Sequence, residues 1–221
     1  MKVAIPREVK NNEYRVAITP SGVHELTRNG HEVYVETDAG VGSSITNEDY
    51  VAAGAQIVGT AEDAWATGDL ILKVKEPIAS EYDKMREGQI LFTYLHIAAD
   101  RTLTDELVKR KVTGIAYETV ELPDHSLPLL APMSEVAGRL APQVGAATLM
   151  AAQGGRGVLM GGVSGGQAAK VVVIGAGVAG LQAIATARRL GAVVSGYDIR
   201  AAVKEQIESL GARFVVLDVE G

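Results

Sequence analysis

The chain has 221 residues, of which 47% are hydrophobic, 22% charged and 5% aromatic, and 21 basic against 27 acidic side chains give a net charge of -6. That apolar fraction supports real cores and excludes a disordered chain, and the lack of a basic stretch argues against nucleic acid or an anionic membrane as a main partner. Cysteine is absent, which excludes disulfides, thiol nucleophiles and Cys-ligated zinc, and no metal site is assigned.

The first ten residues, MKVAIPREVK, lack the apolar core of a signal peptide. The longest apolar run, Val171 to Ala187, is broken by three glycines and Gln182, so it reads as strand, turn and helix rather than a membrane span. A cytoplasmic location is the expectation.

Taken in chain order, residues 2–5 form a short apolar strand. Thr19 caps a helix opened by Pro20 and closed by Asn29-Gly30. Residues 31–36 alternate, with Val33 and Val35 on one face. Thr46 and Asp49 resemble a capping box ahead of a helix that runs to Ala53. Strands over 69–74 and 89–95 enclose a helix from Ser80; a helix over 104–109 and a strand over 113–118 follow. Such alternation predicts a mostly parallel sheet covered by helices. A longer helical pattern covers 131–153, with Pro142 expected to kink or end it. It dissolves into 154–166, a stretch holding seven glycines, which reads as a joint or mobile loop.

From Lys170 the pattern becomes specific. A β-branched run over 171–174, expected to be buried on both faces, enters Gly175-Ala176-Gly177-Val178-Ala179-Gly180 and then a helix to Leu190. A strand over 192–197 ends at Asp198. In such a turn Gly175 permits the tight reversal, Gly177 lets backbone approach a pyrophosphate, and Gly180 lets helix pack against strand. Val178 opens the helix whose N–H groups face phosphate. Asp198 would accept hydrogen bonds from ribose hydroxyls and repel a 2′-phosphate, which favours NAD, although Arg200 could accommodate that phosphate. A helix over 201–210 and a strand over 213–217 complete only the first half of a dinucleotide fold.

The predicted architecture is therefore α/β, with two Rossmann-like domains built on parallel sheets, the second incomplete. Residues 1–130 form the first domain and 131–169 the connecting helix and Gly-rich segment. Residues 170–221 form the first half of the NAD-binding domain.

Three polar residues of the first domain share a position. Arg15 follows the first strand, Lys75 follows the strand over 69–74, and His96 follows the strand over 89–95. In open α/β sheets ligands bind beyond the carboxyl ends of the strands. Arg suits carboxylate capture, Lys can polarise a carbonyl, and His can move a proton near neutral pH. The set fits a 2-amino or 2-oxo acid undergoing hydride transfer; each residue alone also reads as a surface charge. Ser134 and Glu135, at a helix start, read equally as capping residues or as facing a cleft.

Several stretches resemble one family, alanine dehydrogenase and nicotinamide nucleotide transhydrogenase: IPRE at Ile5, NEYRVAITP at Asn12, KVKEP at Lys73, YLH at Tyr94 and LLAPMSEVAGRLA at Leu129. GGRGVLMGG from Gly154 is similar to the dehydrogenases in particular. The resemblance implies that Arg15 and Lys75 bind pyruvate or alanine, that Lys75 and His96 are catalytic with His96 as general acid/base, that Ser134 lies near the cofactor, and that Asp198 binds its ribose. It implies reversible NAD-dependent oxidative deamination of L-alanine to pyruvate and ammonia, by a homo-oligomer. The region from Lys170 is more similar to the transhydrogenase alpha subunit, which passes hydride from NADH to NADP with membrane partner domains. Yet Ser134 to Arg139 reads SEVAGR, where the Arg-Ala-Gln loop of the transhydrogenases is expected. The catalytic aspartate of the dehydrogenases belongs to a later part of the fold, so the 221-residue chain alone is expected to be inactive.

Overall fold

Strands and helices alternate throughout the computed structural model, which describes residues 1–216. The order is β1 (Lys2–Ile5), α1 (Pro20–Arg28), β2 (Glu32–Glu36), α2 (Asn47–Ala52), β3 (Gln56–Val58), α3 (Ala61–Thr67), β4 (Leu70–Lys75), α4 (Ala79–Tyr82), β5 (Ile90–Tyr94), α5 (Arg101–Lys109) and β6 (Thr113–Ala116). It continues with α6 (Ala131–Thr148), β7 (Lys170–Ile174), α7 (Val178–Arg189), β8 (Val193–Tyr197), α8 (Lys204–Ser209) and β9 (Arg213–Phe214). Of the strand expected over 213–217, β9 covers the first two residues, and Leu217 lies outside the described residues. Contacts divide the chain into two units, Met1–Leu127 and Pro128–Gly221.

In the first unit six strands pair in the order β3-β2-β1-β4-β5-β6, all parallel. That is the order of a doubly wound sheet, with its switch point between β1 and β4. Alternation along β1 shows how both faces are covered. Ala4 faces the cluster of Trp65, Ile71, Leu91 and Leu103, while Val3 and Ile5 face that of Val23, Val33, Val35 and Tyr50. The Tyr50 hydroxyl donates to the Ile18 carbonyl at 2.8 Å, and burial pushes its pKa up to about 12. Thr19 caps α1 by accepting from the Gly22 N–H, and Thr46 with Asp49 forms the expected capping box at α2. The sequence reading missed β3 and α3.

The second unit carries three parallel strands in the order β7-β8-β9. Helices α7 and α8 supply Ile184, Ala187 and Ile207 to one face, where Val171, Val173 and Val194 pack. The expected two-sided burial of β7 is not what the structure has. Val172 and Ile174 are 65% and 80% exposed, because these alternate positions point to the face opposite α7 and α8, which no helix covers among the described residues. Helix α6 runs through Pro142 to Thr148 instead of ending there. It packs on α7 at Gly138, where a Cβ would lie 2.2 Å from the Ala179 carbonyl oxygen.

Candidate functional site

The switch point gathers what the first unit offers. The long loop after β1 carries Arg15, the last residue of β4 is Lys75, and His96 stands two residues beyond β5. β4 and β5 are neighbours in the sheet, so Lys75 and His96 come to one end of adjacent strands, and Arg15 lies close enough for its charge to act on Tyr94 at the end of β5. Lys75 proves to be inside its strand, paired in register with Tyr94.

Electrostatic and ring contacts tie the group together. Glu13 accepts from Arg15 Nε at 2.8 Å and Nη2 at 2.6 Å, a two-point fork. That fork, with lesser help from the Lys75 charge, holds the Glu13 carboxyl below the usual carboxylate range. The Tyr94 phenol is raised mainly by burial, against a lowering by the Arg15 charge. Its ring stacks beside the His96 imidazole, with centroids 6.2 Å apart and planes 21° apart. Tyr117 meets Tyr94 edge-on at 4.9 Å.

Backbone geometry at two of the three residues depends on carboxylates that sequence reasoning did not single out. His96 has φ 49°, the left-handed region, which a residue with a Cβ adopts only when its surroundings hold it there. Glu118, just after β6, accepts from the His96 N–H at 2.7 Å and the Leu95 N–H at 3.3 Å. Glu8, after β1, accepts from the Val74 N–H at 2.6 Å and the Lys75 N–H at 3.4 Å. It also pairs with Lys73 Nζ at 3.1 Å, and Lys73 meets Glu81 at 2.9 Å. A lysine in the apolar strand LILKVK was the available signal: a buried ammonium demands carboxylate partners.

A cleft of about 690 Å³ opens along the same loop, lined by Glu8, Glu13, Arg15, Asp38 and Gly42 among others. It includes Arg15 but neither Lys75 nor His96, so the strand-end geometry, and not this cleft, defines the candidate site.

In the second unit the glycine turn joins β7 to α7 as expected. Gly175 has φ +93°, and its N–H donates to the Tyr197 carbonyl at 2.7 Å. A Cβ on Gly180 would sit 1.7 Å from the Gly175 carbonyl oxygen, so helix and strand are as close as backbone allows. Gly177 is the N-cap of α7, Val178 is its first residue, and no side chain caps this end. Its first N–H groups therefore face outward with the positive end of the helix dipole. At Gly177 a Cβ would meet nothing within 4 Å among the described residues and φ is -77°, so neither their packing nor backbone strain demands glycine there. The space beside it suits a phosphate group, and the turn fits a dinucleotide.

Asp198 directly follows β8 and closes the same turn. Its Oδ2 accepts from the Ala176 N–H at 2.7 Å, and its Oδ1 accepts from the Arg200 N–H at 2.8 Å and Nε at 3.1 Å. The Arg200 side chain, followed by these backbone donors, holds the carboxyl far below the ordinary aspartate range. Asp198 also lines a cavity of about 150 Å³ with Ile199, Phe214 and Val216. Ser134 lies in the first turn of α6, which has no side-chain cap, and Glu135 faces Arg139 at 3.8 Å. The capping alternative for that pair is thereby removed.

Together these features define a doubly wound α/β protein with a dinucleotide-type glycine turn. The model of the alanine dehydrogenase/PNT N-terminal domain matches residues 4–137, and that of the C-terminal domain matches residues 141–220. Among curated relatives, an alanine dehydrogenase of Mycobacterium tuberculosis (strain CDC 1551 / Oshkosh) is 62% identical over 97% of this chain and 57% of its own length. One of Mycolicibacterium smegmatis is 60% identical over 90% of this chain and 54% of its own length. A solved L-alanine dehydrogenase superposes with a TM-score of 0.89 at 50% identity, over 97% of this chain and 60% of that one. A transhydrogenase from Sinorhizobium meliloti gives 0.82 at 39% identity, over 99% of this chain and 62% of that one. The chain belongs to the alanine dehydrogenase/PNT family. It spans a little over half the length of the curated relatives it matches. Among the described residues, no helix is long and apolar enough to cross a membrane.

Proposed function

We propose that this chain forms the substrate-binding unit and part of the nucleotide-binding unit of an NAD-dependent alanine dehydrogenase. The observation that carries the reading is that Lys75 and His96 stand at the ends of adjacent strands, with Arg15 coupled electrostatically to Tyr94 beside them. Arg15 holds the substrate carboxylate, exchanging or sharing its fork with Glu13. Lys75 holds the C2 oxygen of pyruvate and of the water-addition product that precedes it. Bound NAD supplies the acceptor for the hydride that leaves C2 of alanine. His96 takes a proton from the water that adds to the resulting imine and passes it to the nitrogen, then carries the hydroxyl proton of the addition product to the same nitrogen as the C–N bond breaks, releasing ammonia and pyruvate. Gly175, Gly177, Val178 and Gly180 receive the pyrophosphate, Asp198 the ribose, and Ser134 lies near the dinucleotide. A cytoplasmic homo-oligomer goes with this reading.

The likeness to the transhydrogenase favours a second reading, hydride transfer from NADH to NADP by an alpha subunit with membrane partner domains. NADH formation from NAD and L-alanine, measured on the protein at the full length of its relatives, separates the two. Alanine-dependent reduction that His96→Ala abolishes, with NAD affinity kept, is the expected result. No reduction by a folded, NAD-binding protein would refute the dehydrogenase reading.

A further inference from the structure

Pairing between β1 and β4 stops at Ala4–Ile71, four residues short of Lys75. On its other side β4 loses register with β5 between Leu72 and Lys75. The end of β4 that carries the proposed substrate-binding lysine is thus supported by sheet pairing on one side only, and irregularly. What stands where β1 no longer pairs is a side chain. The Glu8 carboxylate accepts the Val74 and Lys75 N–H groups at 2.6 and 3.4 Å, in the place of ladder carbonyls.

Glu8 is fixed in turn. Its side chain is 3% exposed, that of Lys73 1%, and the Lys73 ammonium lies 3.1 Å from it. Glu81 completes the group, pairing with Lys73 and accepting the Ile78 N–H at 3.1 Å ahead of α4. A buried ion cluster of this kind is weak evidence for stability but gives a fixed geometry, since each oxygen has a set donor. Glu8 also lies in the loop that leads to Arg15, so one carboxylate ties that loop to the backbone of Lys75.

We propose that Glu8 is a positioning residue for substrate binding: by holding the backbone of Val74 and Lys75 it fixes the Lys75 side chain against the substrate oxygen. The proposal rests on the reading of Lys75 as a substrate-binding group. It assigns a use to a buried carboxylate whose oxygens are taken up by backbone N–H groups and Lys73.

The test is pyruvate affinity, read by titrating the NADH complex of the full-length protein so that inactive variants count. Glu8→Gln keeps one acceptor oxygen but turns an amide N–H₂ toward the donors. It should weaken pyruvate binding about tenfold and leave NADH binding unchanged. In a Lys75→Ala background Glu8→Gln should cost nothing further, because the group it positions is gone. Glu8→Gln/Lys73→Met/Glu81→Gln removes the buried ammonium together with both carboxylates that pair with it. It should restore the melting temperature while the weakened pyruvate binding persists. The proposal is overturned if Glu8→Gln exerts its full effect on top of Lys75→Ala, or if the Lys73→Met combination restores pyruvate affinity. Unchanged pyruvate binding by Lys75→Ala would instead refute the reading of Lys75 itself, and this role with it.

Discussion

Adding one methyl group at each glycine of the β7–α7 turn should fail in three separate ways, and one of them reports on the dinucleotide. At Gly180 the new Cβ would lie 1.7 Å from the Gly175 carbonyl oxygen, half the 3.4 Å at which ordinary contact begins. The obstacle is backbone, so α7 must move off β7 or the turn must open. Overpacking of that severity costs about 3 kcal/mol or more. At Gly175 no atom lies within 4 Å, but φ is +93°, so Gly175→Ala pays a conformational cost of about 1–2 kcal/mol. At Gly177 neither cost applies, since space is open and φ is -77°. Gly177→Ala should leave the fold intact or stabilise it by about 0.4–1 kcal/mol through the unfolded chain. Its only victim would be a ligand approaching the backbone, and a lost or lengthened charge-assisted hydrogen bond weakens NADH binding about ten- to a hundredfold. Thermal unfolding and NADH fluorescence titration of the three variants check this. Gly177→Ala binding NADH as tightly as the parent would refute the phosphate-binding role of the turn.

Two further outcomes follow from the carboxylates at strand ends. Glu118→Gln gives up one of two hydrogen bonds that hold His96 at φ 49°, and kcat for alanine oxidation should fall about tenfold with NADH affinity unchanged; unaltered kcat would show that the clasp is not needed. Asp198 has a carboxyl held low by Arg200 and backbone donors, so its contribution to stability is present above the ordinary value of 3.8 and is lost as pH falls below it. Asp198→Asn should therefore lower the melting temperature at pH 7, and its gap to the parent should close as pH drops below 3.8; a gap independent of pH would refute the assignment.

What the sequence made legible was whatever rests on local chemistry. Thr19 before Pro20, and Thr46 three residues before Asp49, announce helix starts because the caps need those atoms at those spacings. The glycine turn was readable for the same reason. Gln56–Val58 escaped because three residues are too few to show a period of two, and the helix beside it buries only Ala64 and Trp65. The exposure of Val172 and Ile174 was hidden since composition reports that a side chain is apolar, not which face of a sheet a helix covers. Arg15, Lys75 and His96 could be picked out by their position at strand ends. Glu8 and Glu118 could not, because an acid in a loop reads as a solvated charge until its partner is known to be a backbone N–H elsewhere in the chain.

Those missed acids follow one pattern. At the carboxyl end of a parallel sheet the strands stop at different heights, and the next N–H groups lose their ladder acceptors. Glu36 at the end of β2 accepts the Arg7 N–H beyond β1 at 2.8 Å. Glu8 beyond β1 takes those of Val74 and Lys75, Glu118 beyond β6 those of Leu95 and His96, and Asp198 beyond β8 that of Ala176. In each case the acceptor comes from the strand next in the sheet. A carboxylate suits this place because two oxygens can take two successive donors and a charged acceptor bonds more strongly than a carbonyl. The arrangement carries sheet order to the last residues of the strands and one or two beyond them, onto the segments that carry Lys75, His96 and the glycine turn. Side chains that must be held to a fraction of an ångström are thus mounted on backbone pinned from the neighbouring strand, while the loops beyond stay free to differ in length and sequence.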